Sequence, residues 1–121
     1  MSDATRKKIM IVDDDPAITR YLEALFQDHG YETCVASDGT VALDVYKAQA
    51  PDLITLDLEM PEEWGPRFFR KLSKTKGFAT PVIVVSGLSG REYSIPKAQG
   101  FFAKPFDKDQ LLAKVKEILN G

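Results

Sequence analysis

The sequence predicts an α/β domain, a five-stranded parallel sheet covered by helices on both faces. Short apolar runs rich in branched residues recur along the chain, and amphipathic stretches at helical spacing separate them. Prolines and glycines fall between the two kinds of segment. Five strands alternating with about five helices imply right-handed crossovers and therefore a parallel sheet.

Each element has its own local cause. Lys8-Ile-Met-Ile-Val12 reads as a buried strand that stops at Asp13, Asp14 and Asp15. Pro16 suits the first turn of a helix, where its missing N–H would be unpaired anyway. Ile18, Tyr21, Leu22, Leu25 and Phe26 recur at helical spacing, and Gly30 can close that helix in a left-handed cap. Tyr31–Ala36 is a second strand, and Ser37 can cap a second helix with Val41, Ala42 and Val45 on one face. Pro51 ends it. Leu53-Ile-Thr-Leu56 runs as a third strand into Asp57, and Leu58–Gly65 is a loop. Pro66 opens a third helix with Phe68, Phe69 and Leu72 facing the core. Pro81-Val-Ile-Val-Val85 is a fourth strand ending at Ser86-Gly87, and Phe101–Ala103 a short fifth one ending at Lys104-Pro105. Between them, Gly90 and Pro96 interrupt any helical pattern over 88–99. Asp107 caps the last helix, with Gln110 completing a capping box and Leu111, Leu112, Val115, Ile118 and Leu119 as its stripe.

Composition narrows the function classes. With 121 residues the chain forms a single domain, 1–121, with a core of about 8–120. A formal net charge of −2 provides no basic field for nucleic acid, so no direct nucleic-acid binding is expected. The lone Cys34, mid-strand and expected in the core, excludes an internal disulfide and a cysteine-built zinc site. There is neither a spanning apolar run nor a visible signal peptide, so no membrane insertion and a cytoplasmic location are expected. His29 precedes a helix-ending glycine and reads as a cap or surface residue.

The chemistry lies at strand ends. Asp13 and Asp14 follow the first strand, Asp57 the third, Ser86 the fourth and Lys104 the fifth. In an open parallel sheet the carboxyl ends of the strands line the ligand crevice. At about 4.8 Å per strand, Asp57 and Lys104 start roughly 10 Å apart, much of which a lysine stem covers. The three carboxylates and one ammonium leave a charge of −2, which a divalent cation cancels. All-oxygen ligands favour magnesium or manganese over zinc. A carboxylate can act as a nucleophile and form an acyl phosphate, with metal, lysine and hydroxyl screening the phosphoryl oxygens.

These residues resemble the receiver domains of two-component response regulators, over essentially the whole chain from Ile9 to Leu119. The matching segments are Ile9-Met-Ile-Val-Asp-Asp-Asp-Pro16, Asp52-Leu-Ile-Thr-Leu-Asp-Leu-Glu-Met-Pro61, Pro81-Val-Ile-Val-Val-Ser86 and Phe101-Phe-Ala-Lys-Pro-Phe106. Four such motifs in order are highly specific. The resemblance implies a flavodoxin-like doubly wound sheet of order 2-1-3-4-5. It also implies that Asp57 accepts phosphate from a histidine kinase or a His-phosphotransfer protein in a magnesium-dependent reaction, manganese being possible. Asp14 would bind the metal directly, Asp13 assist, and the backbone carbonyl of Glu59 add a ligand. Ser86 would hydrogen-bond the phosphoryl group, Lys104 pair with one of its oxygens, and Phe101 stand at the aromatic switch position. Lys104-Pro105 is expected to be cis. The implied role is a phosphorylation-dependent switch acting on a downstream protein partner, with at most self-phosphorylation and autodephosphorylation as enzymatic activity.

The chain also departs from the family. Its Ser86-to-Lys104 interval is roughly four residues short, about one helical turn. Lys97 stands where a glycine normally begins the turn before the fifth strand, and Glu62-Glu63-Trp64 replaces smaller residues beside Asp57. Two other functions compete. One is a small aspartate-nucleophile phosphatase of the haloacid dehalogenase type, using the Asp-x-Asp at Asp13. The other is a receiver-like interaction module that no longer signals through phosphate.

Overall fold

The computed structural model describes residues 6–37, 39–57, 65–75, 77–87 and 98–120. β1 (Lys8–Val12), α1 (Pro16–Asp28), β2 (Glu32–Ala36), α2 (Gly39–Gln49), β3 (Leu53–Leu56) and α3 (Gly65–Ser73) alternate. They are followed by β4 (Val82–Ser86), β5 (Gly100–Ala103) and α4 (Lys108–Asn120). All strands pair in parallel, in the order β2-β1-β3-β4-β5. The α/β class and the strand order are those expected. Of the segment 88–99, where Gly90 and Pro96 interrupt any helical pattern, residues 88–97, Lys97 included, lie outside the described residues.

Side chains alternate across the sheet, so each strand feeds two cores. Met10, Val12, Ile54, Leu56, Val82 and Val84 meet Ala42 of α2 and Phe68 and Leu72 of α3. Ile9, Ile11, Leu53, Ile83 and Val85 meet Leu22, Leu25 and Phe26 of α1 and Leu111, Leu112 and Val115 of α4. Two helices on each side bury the central strands, which is why, Thr55 apart, those strands are continuously apolar rather than alternating. Each large side chain fully buried here stabilises the fold by about 1.5–3 kcal/mol.

Helix ends follow their sequence signals. Asp15 caps α1, its side chain accepting from the Ala17 N–H at 2.9 Å, and Pro16 takes the first position. Gly30, at φ +89°, ends that helix in the left-handed region. At α4 the Asp107 carboxylate accepts from the N–H groups of Asp109 (2.8 Å) and Gln110 (3.1 Å). The Gln110 side chain makes no return bond among the described residues, so the capping box is half formed. Helix α2 begins at Gly39, not directly after Ser37, and position 38 lies outside the described residues.

Two expected core residues face outward. Tyr21 is 46% exposed and sets its ring against Phe106, with centroids 6.1 Å apart. Val41 is likewise exposed, while its neighbour Ala42 is buried. Adjacent helical residues lie about 100° apart, so one at the margin of the stripe can leave the core without breaking the period. Phe68 and Leu72 are buried as predicted. The side chain of Phe69 is outside the described set. Among the described residues no helix is long and apolar enough to cross a membrane.

Candidate functional site

Sheet register assembles the site. Val12 of β1 lies opposite Leu56 of β3, so the next residues, Asp13 and Asp57, emerge side by side at the carboxyl edge. The Asp57 N–H donates to the Val12 carbonyl at 2.9 Å, and the Asp13 N–H to the Ala36 carbonyl at 3.2 Å. These ladder bonds continue one residue past the strands and hold both carboxylates at the top of the core. Two strands away, Ser86 pairs with Ala103, and Lys104 follows through a cis peptide bond to Pro105.

The three aspartates after β1 divide their work. Asp15 turns to α1 as its cap. Asp13 turns inward, 3% exposed, and Asp14 stays exposed. One carboxylate oxygen from each of Asp13, Asp14 and Asp57 falls within 4.8 Å of the others, a grouping able to hold a metal ion. Oxygen-only donors of this kind suit a hard divalent cation.

Lys104 sits between the two buried carboxylates. Its Nζ donates to Asp13 Oδ2 at 2.8 Å and lies 3.7 Å from Asp57 Oδ2. The other Asp13 oxygen, Oδ1, accepts from the Asp15 N–H at 2.9 Å. Burial lifts the Asp13 carboxyl above its ordinary range, and the nearby Asp57 charge adds to this. The Lys104 hydrogen bond and the Asp15 N–H pull it down without cancelling the rise. For Lys104, burial alone would lower the ammonium pKa, but the hydrogen bond to Asp13 and the charges of Asp13, Asp57 and Asp15 outweigh it, and the net shift is upward. The two partners thus point in opposite senses, the carboxylate resisting its charge while the lysine is held to its own. Two carboxylates within ion-pair reach, at 2.8 and 3.7 Å, hold the ammonium in its charged form.

Asp13, Asp14, Asp57 and Lys104, named from the sequence, converge here. Phe101 is on β5 and is 39% exposed, while Phe102 turns toward the core, as strand alternation requires. The backbone of Ser86 is in β4, but its side chain, together with Glu59, Glu62, Glu63 and Trp64, lies outside the described residues. Sequence reasoning missed the resting partner of Lys104. Counting strand spacings makes Asp57 the nearer acid, yet the ammonium reaches past it to Asp13. His29 caps α1, its Nδ1 2.9 Å from the Leu25 carbonyl, and Cys34 is half-buried against the core. The phosphatase reading gains nothing from this geometry, because both oxygens of its required nucleophile, Asp13, are engaged.

Comparison with known proteins agrees. Residues 9–116 match the model of the response regulator receiver domain. Protein Rrf1 of Nitratidesulfovibrio vulgaris is 39% identical over 113 residues, covering 93% of this chain and 82% of that protein. Transcriptional regulatory protein YxdJ of Bacillus subtilis is 34% identical over 113 residues, covering 90% of this chain but 48% of that protein. The chain therefore spans about half the length of some relatives. Among solved structures, the Francisella response regulator 1452 receiver domain superposes with a TM-score of 0.84 at 31% identity, covering 93% of this chain and 96% of that one. A CheY-like receiver domain protein from Methanospirillum hungatei gives 0.88 at 28%, covering 96% and 95%.

Proposed function

The chain belongs to the response regulator receiver domain family, and from that premise we propose that Asp57 is its phosphoacceptor. A receiver takes up a phosphoryl group in two-component signalling and interacts with histidine kinases and downstream effectors. The observation that supports Asp57 is its position, 3% exposed at the end of β3 with the Lys104 ammonium 3.7 Å from its carboxylate.

In this reading a carboxylate oxygen of Asp57 attacks the phosphorus of a phosphohistidine. The new P–O bond forms as the P–N bond breaks, and the imidazole leaves with a proton. Asp14 and Asp57, with Asp13 and the backbone carbonyl of Glu59, would hold a magnesium ion, manganese being the substitute. Bound there, such an ion offsets negative charge on the transferred oxygens. Lys104 exchanges the Asp13 carboxylate for a phosphoryl oxygen, and the Ser86 hydroxyl donates to another. As Ser86 is drawn inward, exposed Phe101 on β5 repacks and alters the surface offered to a downstream protein. The donor is a histidine kinase or a His-phosphotransfer protein.

Incubation with acetyl phosphate or phosphoramidate and magnesium tests this by intact mass. Wild type is expected to gain one phosphoryl group of about 80 Da, and Asp57→Asn to gain none. A gain of equal size in the variant would move the acceptor elsewhere. Failure of wild type to gain mass or to bind beryllofluoride would leave the receiver without phosphoacceptance.

A further inference from the structure

The sheet has a free edge at β2, and we propose that this edge joins a second copy of the chain. The two β2 strands would run antiparallel about a two-fold axis through Cys34. Among the described strands β2 bonds to β1 alone. The Glu32 N–H donates to the Lys7 carbonyl at 2.9 Å, and the Ala36 carbonyl accepts from the Asp13 N–H at 3.2 Å. Residues 32, 34 and 36 therefore turn their backbone groups toward β1. Backbone direction alternates along a strand, so Thr33 and Val35 each aim an N–H and a C=O away from the sheet. These four groups have no partner among the described residues.

The plainest alternative is an ordinary edge left to water. Such edges are usually blunted by lysine, proline or a bulge. The opposite edge, β5, is guarded in this way: the Lys114 stem lies against Gly100, its Cγ and Cε 3.5 Å from the place a Cβ would take. In contrast β2, Glu-Thr-Cys-Val-Ala, holds neither lysine nor proline and pairs with β1 residue for residue, without a bulge.

The hydrogen-bond phase of β2 is also self-complementary. The axis sets Thr33 opposite Val35 of the second copy, and Val35 opposite its Thr33. These two hydrogen-bonded pairs use all four outward groups of each strand. Cys34 meets its own copy as a non-hydrogen-bonded pair, with Cα atoms about 4.5 Å apart. Glu32 falls opposite Ala36, so no like charges stand directly across from each other. The Thr33 hydroxyl is already engaged on the α1 side, accepting from Gln27 Nε2 at 2.8 Å and donating to Glu23 Oε2 at 3.3 Å. Any extended peptide could meet this edge. A second copy is favoured because β1 already holds it extended and in the matching phase, which spares the cost of ordering. The axis sends the two acidic carboxyl edges in opposite directions, and the inference is independent of the phosphoacceptor reading.

Sedimentation equilibrium in reducing buffer, from about 10 µM to about 1 mM, tests it. The 13.5 kDa monomer is expected to pass reversibly into a dimer. Thr33→Pro and Val35→Pro each remove an outward N–H, two hydrogen bonds per dimer, and are expected to weaken association at least about tenfold. Circular dichroism reports whether each variant is folded. Cys34 reports the register. Copper phenanthroline, taking two electrons from the paired thiols as their protons leave, is expected to cross-link wild type through Cys34, since a disulfide accepts this Cα separation. Cys34→Ser is expected to dimerise without cross-linking. Should both proline variants unfold, the cross-link decides. A protein monomeric throughout that range, a folded proline variant that dimerises like wild type, or a dimer that yields no Cys34 cross-link would each overturn the proposal.

Discussion

β1 ends in charge at both termini, and the two ends treat charge differently. At its carboxyl end Asp13 and Asp57 are 3% exposed and share one lysine. At its amino end Lys7 stands in solvent. Like charges in water repel weakly, whereas buried ones must be paired or neutralised. The acidic end therefore takes stability from the fold in order to hold a reactive arrangement, and the basic end does not.

The largest effect should come from removing the shared cation. Lys104→Ala leaves two buried carboxylates facing each other, and we expect a loss of about 2 kcal/mol in EDTA. That is below the usual figure for breaking a buried pair, because the lysine side chain is 22% exposed. Urea unfolding measures it, and added magnesium should restore part of the loss. An unchanged midpoint would mean that the acids do not strain the fold.

Asp13→Asn attacks the same end from the other side, and its sign is opposite. The folded-state pKa of Asp13 is raised, so from 3.8 upward the native state holds the proton more tightly than the unfolded chain, and stability falls as pH rises through that window. At neutral pH the asparagine escapes this penalty. It keeps an oxygen for only one of the two donors and so forfeits part of the gain. A net stabilisation of about 1 kcal/mol is expected in metal-free protein, shrinking toward about pH 4. A gap that does not narrow with acid would contradict it. Lys104 sets the alkaline side. Its raised folded pKa contributes stability present below 10.5 and lost as pH rises through the folded value.

Asp15 has the same side chain two residues away, but its task is structural. Asp15→Ala should lose about 1 kcal/mol through the missing cap, with no dependence on magnesium. Thermal melts with and without the ion separate the two kinds of aspartate. The smallest effect is expected at the amino end, where Lys7→Gln should change stability by less than about 0.5 kcal/mol. A larger loss would show that the exposed cations hold the fold after all.

Much of this contrast was legible in the sequence. The runs 9–12, 53–56 and 82–85 are apolar but for Thr55 because both faces of the sheet are covered, and the acids that end the first two interrupt those runs visibly. Caps at Asp107 and Gly30 follow from local chemistry alone. Tyr21 and Val41 were misread because a helical period locates a stripe, while neighbouring elements decide its margins. The preference of Lys104 for Asp13 was hidden for a related reason. It depends on how a long side chain crosses three strand ends, which spacing along the chain does not encode.

The run Asp13-Asp14-Asp15 has a consequence of its own. Deleting any one of its members produces the same shortened text, Asp-Asp-Pro, yet the intact chain assigns three distinct offices to three identical letters. The buried member grips the backbone of the capping member, so the run has a phase as well as a composition. Anyone transplanting this loop, or aligning it against a chain with one acid fewer, must decide which office has been vacated.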